Sequence, residues 1–393
     1  MEEVLIVKFG EVALRGKNRY IFENKLIAAI ENNLKGCPGY FVSRELGRYV
    51  VCAHSSPFDF ARVIPKVISV LGIISCCPAI RSRDMSMENI KKLSLLHMKK
   101  RYPDAPVKGY TFRVTAHRSH KDYPVSSQEI AACIGECIIE GAEGFKVNLK
   151  EPEINLRAEL RNQVYIYSDE TKGFGGLPVG SCGKTMALLS AGIDSPVASF
   201  LMARRGVEVE AVYFHTPPYT SERALLKVTD ICEVLKTFTA SFKLNVVNFT
   251  DIQMLIKEKT PPEKFTIMLK RSMMRLAEIL AQKNECQALT TGDSVGQVAS
   301  QTLKSIAAID GAVSIPVLRP LAGMDKNEII DWAKKIGTFD ISIRPFQDCC
   351  TLFVPPHPET KPKVSIIESF EKSIDNLYDI TKEAAENVKV YNF

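Results

Sequence analysis

The chain has 393 residues, of which 46% are hydrophobic and 24% charged, and its formal net charge is +6. At ~100–200 residues per domain this is length for two or three domains, and the balance excludes a disordered, collagenous or fibrous chain. The small positive surplus allows a polyanionic partner without requiring one.

The chain starts with Glu2 and Glu3, then a short apolar run that ends at Lys8. A signal peptide has the opposite charge and a longer apolar core, so the chain reads as cytoplasmic. Val4–Phe9 reads as a strand. Phe22, Leu26, Ile27 and Ile30 follow at helical spacing, and Arg48–Cys52 reads as a second strand. Ala61–Leu71 is expected to be a helix, Ile73–Ala79 a strand and Ser86–Met98 a helix. The most apolar stretch, Pro65 to Pro78, is broken by Ser69, Gly72 and Ser75. It falls short of the ~20 residues a spanning helix needs, so no membrane association is expected. Tyr110–Ala116 reads as a strand, Ser126–Gly141 as a helix with Ser127 as N-cap, and Val164–Ser168 as a strand. The glycines and proline of Gly173–Gly180 break both periodicities and mark a linker.

Beyond the linker the pattern becomes strand–helix alternation. Strands are expected at Thr185–Leu189, Glu208–Phe214, Leu244–Phe249, Ala288–Thr291 and Ser314–Val317. Helices are expected at Pro196–Arg205, Ser221–Phe238, Lys264–Lys283 and Val295–Ile309, with one or two more in Val364–Val388. Apolar strands alternating with helices imply an α/β domain with a doubly wound parallel sheet. The eleven cysteines include no C-x-x-C pair. That suits a reducing compartment and argues against a zinc ribbon or a cysteine-held iron–sulfur cluster. The six histidines show no metal-ligand spacing, and no protein metal site is expected.

The first strand-to-helix turn after the linker, Leu188-Leu189-Ser190-Ala191-Gly192-Ile193-Asp194-Ser195-Pro196, carries the chemistry. Ser195 suits an N-cap and Pro196 the first helical position. A small-residue loop entering a helix N-terminus aims backbone N–H groups and the positive end of the helix dipole at one spot, which favours phosphate. Just upstream, Gly180-Ser181-Cys182-Gly183-Lys184-Thr185 imitates a Walker A loop. It fails because Pro178 stands where that pattern needs glycine, and because it precedes its strand.

The turn resembles the S-G-G-x-D-S signature of PP-loop ATP pyrophosphatases, with Ala191 departing at the second position. If that position needs a positive φ, alanine costs ~1 kcal/mol there. Five further segments make the resemblance specific. Lys8-Phe9-Gly10-Glu11-Val12-Ala13-Leu14-Arg15-Gly16-Lys17-Asn18-Arg19 resembles the opening of the tRNA 4-thiouridine synthetases. Arg113 to Pro124, with Ser127 and Glu129, resembles their THUMP RNA-binding domain. Thr291 to Thr302 and Arg319 to Lys326 are similar to their adenylate-binding segments. Asp348-Cys349-Cys350-Thr351 is similar to their catalytic-cysteine region. The resemblance is colinear over nearly the whole chain.

That resemblance implies a ferredoxin-like domain at 1–60, a THUMP domain at 61–168, a linker at 169–180 and a PP-loop domain at 181–393. Longer family members add a rhodanese domain, for which this chain has no room, so a role in thiamine-thiazole sulfur transfer is expected to be weak or absent. The implied reaction uses ATP to adenylate the C4 oxygen of uridine 8 in tRNA. A cysteine persulfide, loaded by a cysteine desulfurase, then supplies sulfur. The resemblance makes Cys349 the sulfur carrier, with Cys350 or Cys182 able to resolve the persulfide. Asp194 becomes the essential acid acting through Mg2+, and Lys326 a cation for transition-state charge. Asp325 and Glu328 read as the capping box in front of that lysine's helix. Leu188, Leu189, Ser190, Gly192, Ser195, Tyr213, Phe214, Gly292 and Gln301 would hold ATP, together with Lys270 or Arg271. Lys8, Arg15, Lys17, Arg19, Arg118 and Lys121, with the Lys99-Lys100-Arg101 cluster, are the RNA-contact candidates. A homodimer is possible. The rival readings are a PP-loop ligase that passes its adenylate to an amine and a non-enzymatic RNA-binding protein.

Overall fold

The computed structural model describes residues 1–14, 16–45, 47–55, 57–119, 123–346, 353 and 355–393. They form two compact units, Met1–Gly176 and Leu177–Phe393.

In the first unit the order is β1 (Glu2–Phe9), α1 (Arg19–Leu34), β2 (Tyr40–Glu45), β3 (Arg48–Ala53), α2 (Phe60–Ile68), β4 (Ile73–Ser82), α3 (Met87–Arg101), α4 (Ala105–Lys108), β5 (Tyr110–Arg118), α5 (Ser127–Gly141), β6 (Phe145–Val147), β7 (Ile154–Leu160), β8 (Val164–Tyr167) and β9 (Thr171–Lys172). Among the described residues these strands make one sheet in the order β2-β3-β1-β4-β8-β7-β5-β6, with β9 on β4. β4 joins its two halves. It pairs antiparallel with β1 along its length and with β8 at its far end. No contact boundary therefore falls at residue 60, and Thr171–Lys172, within the expected linker, are paired with β4. Among the described residues, two of the buried clusters lie along the sheet. One holds Val4, Ile6, Val50 and Cys77, and the other holds Ile90, Ile130, Ile134, Phe112 and Leu156. The cap of α5 is Ser126, not Ser127. Its hydroxyl accepts from Glu129 N–H while the Glu129 carboxylate accepts from Ser126 N–H.

The second unit runs β10 (Lys184–Leu188), α6 (Asp194–Arg204), β11 (Glu208–His215), α7 (Glu222–Thr239), β12 (Lys243–Asn248), α8 (Thr250–Lys259), α9 (Phe265–Lys283), β13 (Ala288–Thr290), α10 (Leu303–Asp310), β14 (Val317–Leu318), α11 (Lys326–Ile336), α12 (Phe339–Ser342), α13 (Val364–Ser373), α14 (Leu377–Glu386) and β15 (Val388–Asn392). The sheet order is β14-β13-β10-β11-β12-β15. The first five strands of this order are parallel, and β15 closes the edge antiparallel to β12. Helices α6, α7 and α11 pack together, and α8, α9, α10 and α14 form a second packed group. The apolar sides of the second group close on β-strand residues such as Met186, Val212, Val247 and Leu289.

From β10 the chain winds outward through β11 and β12 and returns to the other side as β13 and β14. The order therefore reverses beside β10, and in an open parallel sheet the crevice at the carboxyl ends there is where ligands bind. The expected helix at 295–309 is confined to α10. Gly296 has a φ of +80° and residues 299–301 form a single 3-10 turn, so the segment before α10 stays a loop over that crevice.

Candidate functional site

The crevice is a cleft of about 280 Å3 bounded by the β10–α6 turn, the end of β11, one face of α9 and the segment after β13. Leu188, Leu189, Ser190, Gly192, Asp194, Ser195, Tyr213, Phe214, Lys270, Gly292 and Gln301 all line it, and Met273, Met274, Thr291, Asp293 and Ile309 complete the wall. Its chemistry is divided. Methionines, leucines and aromatic rings offer a slot for a flat apolar group, and charged side chains gather by the helix end.

The turn is built differently from a simple serine cap. Helix α6 begins at Asp194, two residues before the expected start, and Ile193 at its N-cap makes no side-chain bond. The Ser195 hydroxyl instead closes the loop on itself. It accepts the Ser190 N–H at 2.8 Å and lies 2.9 Å from the Ser190 hydroxyl. The first N–H groups of α6 are thus free of side-chain caps, as an anion site requires. Ala191 is buried and is not among the positive-φ residues, so its methyl costs no backbone strain. Gly292 is constrained by space. A Cβ there would sit 2.7 Å from the Ser195 nitrogen and 2.9 Å from the Asp194 carbonyl carbon. Only glycine lets the chain after β13 press against the start of α6.

Two carboxylates organise the charges. Asp194 receives Lys326 Nζ on Oδ1 at 2.5 Å and Gln297 Nε2 on Oδ2 at 2.9 Å. Lys326 is the first residue of α11, presented by the expected capping box. The Asp325 carboxylate accepts from Asn327 and Glu328 N–H, and Glu328 accepts from Asp325 N–H. Asp293 receives Lys270 Nζ at 3.1 Å, the Thr291 hydroxyl at 2.8 Å and Gln301 Nε2 at 3.1 Å, and Arg319 Nε lies 3.5 Å away. Burial pushes the Asp293 carboxyl up, but Lys270 and these hydrogen bonds outweigh it and hold the group down at about 2. It is therefore a fixed anion that aims the Lys270 ammonium.

Lys270 and Arg271 are adjacent on α9 but have opposite fates. Lys270 enters the cleft. Arg271 does not: its side chain is 0% exposed, and it donates to the Ala308 carbonyl and to Glu371 at 2.7 Å. Neighbours on a helix diverge by about 100°, so only one could reach the nucleotide. Arg271 instead ties α9 to α10 and α13, and its assignment to the nucleotide site is corrected.

Asp293, Gln297 and Arg319 were missed as site residues. Each lies inside a segment whose sequence pointed to nucleotide binding, but single roles come only from long-range convergence: Gln297 meets Asp194 across 103 residues. Cys349, its neighbour Cys350, Arg15 and Lys121 lie outside the described residues, as does the side chain of Lys17. Cys182 is exposed.

Five of the RNA-contact candidates, Lys8, Arg19, Lys100, Arg101 and Arg118, are held in local pairings. Lys8 lies 3.5 Å from Glu170 and 5.1 Å from the centre of the Tyr167 ring. Arg19 bonds Glu23 at 2.8 Å, Lys100 bonds Glu3 at 2.6 Å, and Arg101 pairs with Asp169. Arg118 donates to the Tyr123 and Val125 carbonyls, both at 2.8 Å, so it builds a turn and is not a free surface cation. Among the described residues no helix is long and apolar enough to cross a membrane.

Comparison with known proteins agrees with this geometry. Residues 180–376 match the family model described as thiamine biosynthesis protein (ThiI). Residues 4–77 match the ThiI ferredoxin-like domain and 85–169 the THUMP domain. A probable tRNA sulfurtransferase of Thermoanaerobacter sp. (strain X514) is 46% identical over 383 residues, covering 96% of this chain and 98% of the relative. One of Lachnospira eligens is 43% identical over 396 residues, covering 99% and 100%. A solved 4-thiouridine synthetase–RNA complex with bound ATP superposes with a TM-score of 0.91 at 37% identity over 100% of both chains. PH1313 from Pyrococcus horikoshii gives 0.65 at 26% identity, covering 85% of this chain and 99% of that one. With near-complete coverage at these identities, the chain belongs to the ThiI family of tRNA sulfurtransferases, with ferredoxin-like, THUMP and PP-loop domains.

Proposed function

We propose that this chain uses ATP to replace the C4 oxygen of uridine 8 in tRNA with sulfur, giving 4-thiouridine. The observation that carries the reading is the convergence of Asp194, Lys326 and Lys270 on the uncapped N-terminus of α6, beside a slot of Met273, Met274, Tyr213 and Phe214. That is a site for a flat base at one end and a polyphosphate at the other.

An amide-like oxygen is a poor leaving group, and the reaction makes it a good one. The uracil O4 attacks the α-phosphorus of ATP, the bond to the bridging oxygen of the β-phosphate breaks, pyrophosphate departs and the N3 proton is lost. Lys326, Lys270 and the α6 amides stabilise charge as it moves onto the leaving phosphates. Lys326 must then turn from Asp194 towards the phosphates. The Asp194 carboxylate fits a magnesium ion, since a hard cation takes carboxylate oxygens, and such an ion would screen the phosphates when bound. In the second half, a persulfide sulfur on Cys349 attacks C4 and the original oxygen leaves with AMP. A second thiol, Cys350 or Cys182, then attacks the Cys349 sulfur. The S–S bond of the adduct breaks, sulfur stays on the base, and the disulfide so formed is reduced by an external thiol. A cysteine desulfurase loads Cys349, and the first unit presents the tRNA. A homodimer would let one subunit's RNA-binding unit serve another's cleft. The division at 1–60, 61–168 and 181–393 is proposed as the working domain scheme.

The experiment is nucleoside mass spectrometry of unmodified tRNA incubated with the purified chain, ATP, Mg2+, cysteine and a desulfurase. The expected product is 4-thiouridine at position 8, absent without ATP and absent with Cys349→Ser. Full product from Cys349→Ser would overturn the sulfur-carrier assignment.

A further inference from the structure

Asp194 has two oxygens, and the structure gives them unequal partners. Lys326 Nζ holds Oδ1, and Gln297 Nε2 holds Oδ2 at 2.9 Å. The lysine is asked to do two things. It pairs with the acid at rest, and the phosphates need it during adenylation. When Lys326 leaves, Gln297 remains the side-chain donor that orients the carboxylate.

The loop that carries Gln297 does not depend on its amide. Gly296 N–H donates to the Gln301 carbonyl at 2.9 Å and Gln297 N–H to the Ser294 carbonyl at 3.3 Å. Val295 N–H donates to the Ala322 carbonyl at 3.2 Å, and the Ser294 hydroxyl to the Met324 carbonyl at 2.8 Å. Backbone and Ser294 therefore fix the turn. The Gln297 Oε1 atom, in contrast, is buried with no hydrogen-bond partner. A carbonyl left unsatisfied costs stability, and such groups are rare unless something else requires them. Here the requirement is the amide's other end, because an amide beside a carboxylate must turn its N–H2 towards it.

We propose that Gln297 is a positioning residue for adenylation: its amide holds Oδ2 of Asp194 so that the carboxylate keeps one orientation while Lys326 moves to the phosphates. The proposal rests on the adenylation reading above and assigns the side chain no contact with the substrate.

Replacing the amide tests this, with tRNA-dependent release of AMP and pyrophosphate as the readout. Gln297→Leu is expected to lower kcat about 10–100-fold with little change in KM for ATP and an unchanged melting temperature, since the turn is held by other bonds. Gln297→Asn keeps the amide on a shorter stem and is expected to recover part of the kcat lost in Gln297→Leu, again with little change in KM and a melting temperature like that of wild type. A structural role alone would lower the melting temperature in step with activity and would not split kcat from KM. Gln297→Leu with full kcat, or a loss of kcat that tracks a fall in melting temperature across Gln297→Leu and Gln297→Asn, would overturn the proposal. Wild-type enzyme that releases no AMP with tRNA would instead overturn the adenylation reading itself.

Discussion

The two units handle positive charge in contrasting ways. In the PP-loop unit, cations from distant parts of the chain are drawn to one crevice. Lys270 comes from α9, Lys326 from the start of α11 and Arg319 from the loop after β14, and two carboxylates, Asp194 and Asp293, hold them in place. In the first unit, Lys8, Arg19, Lys100 and Arg101 are each matched to a nearby acid, and Arg118 is spent on carbonyls. Exposed pairs of this kind are worth little and exchange readily for phosphate contacts. The lesson is that convergence, not abundance, marks a catalytic site. Lys270, aimed by the largely buried Asp293, is committed to one geometry, whereas a surface pair remains available to any polyanion.

The largest effects should follow from removing members of the converged group. Asp194→Ala and Lys326→Ala should each lower tRNA-dependent pyrophosphate release by about 100–1000-fold, the size expected for losing a group that acts on transition-state charge. Cys349→Ser should abolish thiolation yet leave pyrophosphate release measurable, which separates the two half-reactions. Gly292→Ala should also disable ATP use, because its methyl would collide with the backbone of Asp194 and Ser195. ATP titration would register this as a raised KM.

A sharper test uses the neighbours Lys270 and Arg271. Lys270→Ala should raise KM for ATP about tenfold with little change in melting temperature. Arg271→Ala should do the reverse. Glu371 keeps Arg275, but losing the fully buried Arg271 side chain leaves the Ala308 carbonyl without its donor and opens a cavity, at a cost of about 2–5 kcal/mol, so thermal unfolding should shift down by several degrees while KM for ATP is retained by the folded fraction. Equal effects on KM would erase the distinction between the two side chains.

The pH dependence of stability should also separate the units. Burial pushes the His97 imidazole down to about 4, and its Nε2 sits 2.9 Å from the Ser168 hydroxyl. The unfolded chain takes up that proton near the ordinary histidine value of about 6.5. The first unit should therefore lose stability as pH falls from about 6.5 to 4, and His97→Gln should flatten that slope. Asp293, held at about 2, has the depressed carboxylate behaviour. Its contribution is present above the unfolded value near 4 and is lost as pH falls through about 2. Denaturant unfolding at stepped pH, with Asp293→Asn for comparison, would show the two windows. The smallest effect belongs to the surface. Arg19→Ala should weaken tRNA binding only a few-fold and reduce the salt slope by about one ion.

Much of the site was legible from residues alone because phosphate loops are local. The run from Leu188 to Pro196 announces a strand end, small residues and a helix start within nine positions, and four of the ten other cleft-lining residues, Thr291, Gly292, Asp293 and Gln301, fall in a segment that resembles one family. Much of what was illegible depended on distance or on edges, although β7, a central strand between β5 and β8, was missed as well. Asp293 and Gln297 acquire roles only when the loop after β13 folds onto the α6 turn. Nothing local shows that Ser195 folds back on Ser190 instead of capping, or that Lys270 and not Arg271 faces the cleft. Val295 and Val298 extended the apolar period of α10 backwards, yet they lie on an exposed loop. β2, β6 and β15 were missed as short edge strands with one partner each, and β15 escaped because its pairing to β12 joins residues about 145 apart.

In the proposed reaction the uracil oxygen is made to leave as part of AMP. Supplying tRNA with 18O at C4 of uridine 8 tests it directly. AMP carrying the heavy isotope in its phosphate, in step with 4-thiouridine formed, is the predicted result. Unlabelled AMP, with the isotope recovered in water, would contradict it.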